Sequence, residues 1–305
     1  MKKYLVFDIG GTFIKYSIMN EENIFTKGKI KTPQDSLESL IDSLDTIAKN
    51  HITEIEGIAV SMPGVIDSER GYALHGGALT YIKNTNIKEL IQSRFNLPVS
   101  IENDGKSAAL GEHWKGKLKN VDFGVMAVIG TGIGGGIISS GKLLKGFNYA
   151  AGEFSGLRLD QNNPKDDAST FGYCGSAPRL VANIAKNIGE DIDSFTGEDM
   201  YEVINKGNKT AIDIFNKYCK DFSVQILNLQ AILDPEIFVI GGGISANPIL
   251  VERINENIDK IVENDYIYNL TKIKPKVVRS ELGNDANLYG ALYSFFKQNK
   301  IEFEF

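Results

Sequence analysis

The chain has 305 residues, enough for two lobes with substantial cores, and its hydrophobic (42%) and charged (24%) fractions are those of an ordinary globular protein. A net charge of −6 argues against a binder held by nucleic-acid phosphates, and no apolar run is long enough for a signal peptide or membrane span. Two cysteines, Cys174 and Cys219, make no disulfide framework, and a cytoplasmic location is the default expectation.

Apolar and alternating patterns predict strands over Tyr4–Ile9, Phe13–Met19 and Ile24–Lys31, broken by Gly10-Gly11 and by the polar run Asn20 to Asn23. Ser36 is placed to cap an amphipathic helix carrying Leu37, Leu40, Ile41, Leu44 and Ile47. Further strands are expected over Gly57–Ser61, before Pro63-Gly64, and over Gly71–His75, before Gly76-Gly77. Asn86 caps a predicted helix through Phe95. Val99–Ile101 reads as a strand, and Asp104 opens a helix to about Trp114. The polar stretch Gly116–Asn120 marks the expected lobe boundary.

A second strand-rich block follows, Phe123–Ile129 and Gly134–Ser139, with Ser140-Gly141 as a turn. Asp160–Thr170 reads as a mobile surface loop, and helical patterns dominate Ser176–Leu233. Glu236–Ile240 is a buried strand closing on Gly241-Gly242-Gly243. A helix over about Ile249–Val262, a strand around Lys276–Arg279 and a last helix starting at Asn284 complete the pattern. Two blocks that each begin with strands and a glycine loop, then turn helical, predict two related α/β lobes with a cleft between them.

The glycine loops carry the chemistry. Asp8-Ile9-Gly10-Gly11-Thr12 follows the first strand, and Gly130-Thr131-Gly132 opens a glycine-rich run after Ile129. Glycine lets peptide N–H groups approach an anion closely, and Thr12 and Thr131 add hydroxyl donors. Two such loops, one led by an Asp able to face a metal, point to a nucleotide held from both sides. Lys15 is either within reach of a phosphate or an ordinary exposed strand lysine. Glu102-Asn103-Asp104 lies where a strand ends and a helix starts, the usual ligand end of α/β strands. There Asp104 either takes a proton from an attacking hydroxyl or merely caps its helix, and Asn103 can bond a neighbouring hydroxyl. Gly242 and Gly243 either lie against a flat ring such as adenine or form a tight turn. Glu153, after Gly152, is either a sugar ligand or a surface carboxylate. His51, His75 and His113 show no metal spacing.

Taken in order, these motifs resemble the ROK family of sugar kinases. The resemblance is carried also by Pro63 to Asp67, Ala151 to Phe154, Ile240 to Ile244 and Gly283 to Ala286 before Gly290-Ala291. It implies the two-lobed actin/hexokinase/Hsp70-like ATPase fold with ribonuclease H-like lobes, residues 1–117 joined by the last helix (about 285–305) forming one and 118–284 the other. It implies ATP-dependent phosphorylation of a sugar, usually at the 6-hydroxyl, by a homodimer, and joins the composition's expectation of a cytoplasmic protein that binds neither nucleic acid nor membrane. By the same resemblance Asp104 is the general base. Gly77, Asn103 and Glu153 join it in binding the sugar. Asp8 orients Mg²⁺, usually through water. Gly10, Gly11, Thr12 and Lys15 serve the phosphates from one side, Thr131 and Gly132 from the other, and Gly242 and Gly243 flank the adenosine.

Departures from the family pattern matter for the substrate. Gly156 stands where many members have a zinc-binding His, and Phe171 to Arg179 holds one cysteine where their CxCGxxGCxE segment holds three. No zinc is therefore expected. The Gly76 to Leu79 loop lacks the Asn commonly found there. The pattern is closest to zinc-free β-glucoside kinases, N-acetylmannosamine kinases and some gluco- or fructokinases, and the loss of bulk near Gly156 would admit a substituent on the sugar. The competing readings are a non-catalytic sugar sensor and an acyl-phosphate kinase. Repressors of the family carry an N-terminal DNA-binding domain, whereas this chain starts on the first ATPase strand.

Overall fold

A computed structural model describes residues 2–302 of the chain. The front of the chain supplies β1 (Tyr4–Ile9), β2 (Phe13–Met19), β3 (Ile24–Lys31), α1 (Leu37–Lys49), β4 (Ile58–Met62), β5 (Val65–Asp67), β6 (Tyr72–Gly76), β7 (Leu79–Asn86), α2 (Ile87–Phe95), β8 (Val99–Asn103) and α3 (Asp104–Lys115). Five of these strands form one sheet in the order β3-β2-β1-β4-β8, antiparallel across β1, β2 and β3 and parallel across β1, β4 and β8. β5, β6 and β7 form a small second sheet.

Next come β9 (Phe123–Ile129), β10 (Ile133–Ser139), β11 (Lys142–Leu143), α4 (Phe171–Cys174), α5 (Ala177–Ile188), α6 (Gly197–Asn205), α7 (Lys209–Leu233), β12 (Ile237–Gly241), α8 (Ile249–Val262), α9 (Tyr266–Thr271), β13 (Val277–Arg279) and finally α10 (Ala286–Gln298). The sheet order is β11-β10-β9-β12-β13, again an antiparallel hairpin on one side and parallel strands on the other. The repeated plan is the one predicted for two related α/β lobes.

The chain divides into two units. The first runs up to Lys119 and takes in Leu143–Gly152 and everything from Asp285 on; the second comprises Asn120–Lys142 and Glu153–Asn284. In the first unit β1 is buried along its whole length, and its side chains alternate between two cores. Leu5, Phe7 and Ile9 pack with Leu40, Ile41 and Leu44 of α1. Tyr4 and Val6 face the other way, against Phe295 and Phe296 of α10. α10 lies close on α3: a Cβ added to Gly290 would stand 1.6 Å from the Ser107 carbonyl oxygen, and one added to Gly111 would stand 2.2 Å from that of Ala286. Glycine at both crossing points permits this approach.

The second unit's core joins one face of its sheet to α5, α6, α7 and α8, with Phe171, Phe215, Phe222 and Phe238 buried in it. The helical stretch predicted over Ser176–Leu233 resolves into three helices. Strands β5, β7 and β11 and the short helices α4 and α9 are not among the predicted elements. The last helix begins at Ala286, two residues after the predicted start, because Gly283–Asp285 forms a 3₁₀ turn.

Candidate active site

Asp8 sits on the face of β1 that meets α10. Its Oδ1 accepts from Asn287 Nδ2 at 2.9 Å and from Ser61 Oγ at 3.2 Å, while Lys15, opposite it in the β1–β2 register, places Nζ 3.7 Å from Oδ2. Neither Ser61 nor Asn287 is among the predicted site residues. A hard divalent cation takes oxygen donors and keeps much of its water. One carboxylate fixed by two hydrogen bonds fits such a cation held through water. No group of three or more His, Cys, Asp or Glu among the described residues gathers to bind a metal directly.

The loop that follows turns its carbonyls inward. Thr32 Oγ1 donates to Gly10 O (2.7 Å), Gln34 Nε2 to Gly11 O (2.8 Å) and Thr32 N to Thr12 O (3.0 Å). The N–H groups of Gly11 and Thr12 take no protein acceptor among the described residues, and both residues are exposed. This is the arrangement an anion needs. Thr32 and Gln34, which lie after β3, lock the loop from a distance that local motifs do not reveal.

The loop abuts the Gly76 to Leu79 turn: a Cβ on Gly11 would lie 3.2 Å from that of Ala78. Gly77 in turn packs on Gly64, and its N–H donates to His75 Nδ1 at 3.0 Å. The Gly64 carbonyl accepts from Asn103 Nδ2 at 2.8 Å. The same amide donates to Asp104 Oδ1 at 3.1 Å, where Gly105 N also donates at 2.8 Å. The first unit therefore brings together Asp8, the first glycine loop, Gly77, Asn103 and Asp104.

The capping role belongs to the residue before the one predicted. Asn103 is the N-cap of α3, its Oδ1 accepting from Lys106 N at 3.0 Å, and Asp104 is the first helical residue. The buried amide of Asn103 also holds Asp104: both Nδ2 hydrogens are given to Gly64 O and Asp104 Oδ1, while Oδ1, which accepts from Lys106 N, keeps a second lone pair. Asp104 is only half-buried, between neighbours that are fully so. Glu102, just upstream, accepts from Asn103 N at 3.0 Å, and its burial pushes its carboxyl above the usual range against the opposing pull of Lys145, Asn103 N–H, Ser68 and Lys106.

In the second unit the end of β9 carries Gly130, Thr131 and Gly132. Gly130 N donates to Gly132 O (2.9 Å), and Ala177 N to Gly130 O (3.0 Å). Ser155 bonds both N and O of Ile133 and stands where a Cβ on Gly132 would reach 2.7 Å, so it buttresses the loop. Gly242 has φ +98°, and a Cβ there would stand 2.0 Å from Ile129 O; the parallel pairing of β12 with β9 thus sets Gly242 against the base of this loop. Gly243 is exposed, with nothing within 4 Å of a built Cβ. Glu153, half-buried, precedes the 3₁₀ turn Phe154–Gly156, its backbone carbonyl accepting from Gly156 N at 3.2 Å, and belongs to this unit, whereas Asn103 and Asp104 belong to the first.

The ROK family model matches residues 4–298. A β-glucoside kinase of Listeria monocytogenes is 30% identical over 299 residues, covering 97% of this chain and 98% of its own. An N-acetyl-D-glucosamine kinase of Vibrio atlanticus is 28% identical, covering 95% and 98%. Among solved structures, a ROK family protein of Streptococcus pneumoniae in complex with sucrose superposes with a TM-score of 0.84 at 28% identity, covering 98% of this chain and 99% of that one. The chain belongs to the ROK family, with the actin/hexokinase-like ATPase fold and the enzyme class of its carbohydrate kinases.

Proposed function

We propose that this kinase transfers the γ-phosphoryl group of ATP to the 6-hydroxyl of a hexose, with a β-glucoside as the favoured substrate and Asp104 as general base. The observation that carries the reading is Asp104 itself, a carboxylate fixed by the Asn103 amide and Gly105 N–H at the end of β8 and left half-exposed while its neighbours are buried. The hydroxyl oxygen attacks the γ-phosphorus, its proton passes to the Asp104 carboxylate, and the bond to the bridging oxygen breaks to leave ADP. The amide-lined loop of Gly10, Gly11 and Thr12, with Lys15, and that of Thr131 and Gly132 suit phosphate oxygens. Gly242 and Gly243 suit the adenosine, with Gly243 offering a surface free of side chains. Gly77, Asn103 and Glu153 serve the sugar, Asn103 chiefly by orienting the base. Mg²⁺, oriented by Asp8 through water, would neutralise phosphate charge.

A second substrate reading, N-acetylmannosamine, is favoured by Gly156, where a built Cβ meets nothing within 4 Å and leaves room for an N-acetyl group. ADP release from Mg-ATP, measured against cellobiose, gentiobiose, N-acetylmannosamine, N-acetylglucosamine, glucose and fructose, decides between them. The β-disaccharides are expected to give the highest kcat/KM. Asp104→Asn is expected to lose about 10²- to 10⁴-fold in kcat while ATP binding is retained. Absence of turnover on every sugar, or an active Asp104→Asn variant, would sink the proposal.

A further inference from the structure

Exposed large apolar side chains are scattered over the described residues, half of them on helices, such as Tyr266, Ile267 and Leu270 of α9 in the second unit. Phe147 differs in its setting. It is 98% exposed, a phenyl ring held almost wholly in water. It lies in the Leu143–Gly152 segment that packs with the first unit.

That segment is a closed, pre-shaped loop. Ala151 N donates to Lys145 O (3.2 Å) and Tyr149 N to Gly146 O (3.4 Å), which places Phe147 at the tip. Gly146, Tyr149 and Gly152 all have left-handed backbone, with φ +74°, +58° and +84°. For a tyrosine this conformation is strained and persists only where surrounding contacts over-determine it. Those contacts are present on both sides of the tip. Lys145 Nζ lies 3.5 Å from Glu69 and its charge also acts on buried Glu102, while the Tyr149 hydroxyl hydrogen-bonds the Asp67 carboxylate. Asp67 ends β5, three residues beyond the Gly64 carbonyl that holds Asn103, and Glu102 is the residue before Asn103. Each anchor is two residues from Phe147, within about 7 Å of it along the chain. The fold thus uses a strained Tyr149 backbone to fix an exposed aromatic ring at the tip of a loop whose Lys145 acts on Glu102, the residue before Asn103 and Asp104.

Aromatic faces stack on the C–H faces of pyranose rings, and an exposed ring beside a sugar site has a use that an isolated surface phenyl lacks. We propose that Phe147 is the platform for the aglycone of the substrate, the second sugar ring or aryl group of a β-glucoside beyond the hexose unit that is phosphorylated. This inference rests on the β-glucoside reading above. Contact with the aglycone alone makes Phe147 a determinant of the ratio between β-glucosides and free hexoses.

The test compares wild type, Phe147→Ala and Phe147→Trp on cellobiose, gentiobiose and glucose. Phe147→Ala is expected to lower the disaccharide-to-glucose ratio of kcat/KM by about five- to tenfold, mainly through KM, and Phe147→Trp to keep it. Unfolding midpoints measured in parallel are expected to coincide, since the ring is in water. A ratio unchanged within twofold in Phe147→Ala, with wild type active on the disaccharides, overturns the platform and leaves the β-glucoside reading standing. A wild-type enzyme inactive on both disaccharides overturns both.

Discussion

At the scale of single residues, the Glu102-Asn103-Asp104 run divides its labour by depth. Asp104 reaches solvent, the Asn103 amide fixes the turn and Asp104, and Glu102 is buried beneath them. Sequence alone could not apportion these roles, because Asn and Asp are equally good helix caps and differ here only in which one the strand end points inward. Ser155, which buttresses the second glycine loop, was likewise invisible, since nothing marks a serine 22 residues away as a partner of Ile133. The buried Glu102 carries a pH signature. Its folded-state pKa is raised above the ordinary value of 4.5, so the folded protein holds a proton that the unfolded chain gives up. This contribution to stability is complete below that ordinary value and is lost as pH rises toward the raised one, by up to about 1.4 kcal/mol per pH unit within the window. Glu102→Gln, which retains an acceptor for Asn103 N–H without the titration, is therefore expected to gain on wild type in urea midpoint as pH rises above 4.5. Parallel pH curves for the two proteins would show that Glu102 is not the source.

At the scale of elements, strands bounded by strong turn signals were legible to the residue: β1, β2 and β3 fall where their hydrophobic patterns and the flanking Gly10-Gly11 and Asn20 to Asn23 breaks put them. Helix α8 matches equally well, its buried Leu250, Val251, Ile254, Ile258 and Val262 repeating at helical spacing. Strand β7 escaped because its second half, Lys83 to Asn86, is polar and mostly solvent-facing, and α9 because six residues with no buried side chain carry no periodic signal. The Gly241 to Gly243 loop was visible as glycine, but only the fold separates its members. Gly242 needs both its positive φ and its missing Cβ, whereas Gly243 needs neither for packing. Gly242→Ala is expected to destabilise the protein by more than about 1 kcal/mol, and Gly243→Ala to stay within about 0.5 kcal/mol of wild type while weakening ATP binding. Thermal unfolding with nucleotide titration checks both, and equal ATP affinity in Gly243→Ala and wild type would remove Gly243 from the adenosine site.

At the scale of the whole molecule, the two units have separate cores, and that separation is measurable with a built-in probe. Trp114 is the chain's single tryptophan, buried in the first unit against Tyr293 and Phe296. Its fluorescence reports that unit alone, whereas far-UV circular dichroism is weighted toward the second, which holds α5, α6, α7 and α8. The two signals are expected to give different urea midpoints, as multi-unit proteins depart from a single two-state transition. Coincident curves would show that the units melt as one. The repeated α/β plan was readable from two strand-and-glycine blocks each followed by helices. The excursion of Leu143–Gly152 into the first unit was not, because its anchors, Lys145 and Tyr149, look like any polar loop residues.

The assignment of α10 to the first unit also sets the order in which the protein can be completed as it is made. A nascent chain released as far as residue 284 already contains every residue of the second unit, so that unit can close on itself. The first unit, begun earlier, cannot. Tyr4 and Val6 on β1, Trp114 on α3 and the two glycine crossing points wait with an uncovered apolar face until Phe295 and Phe296 clear the ribosome. At ordinary rates of synthesis the wait lasts on the order of ten seconds or more. The oldest part of the chain is thus the last to be sealed, and through that interval its exposed strands depend on chaperones or on speed to escape aggregation.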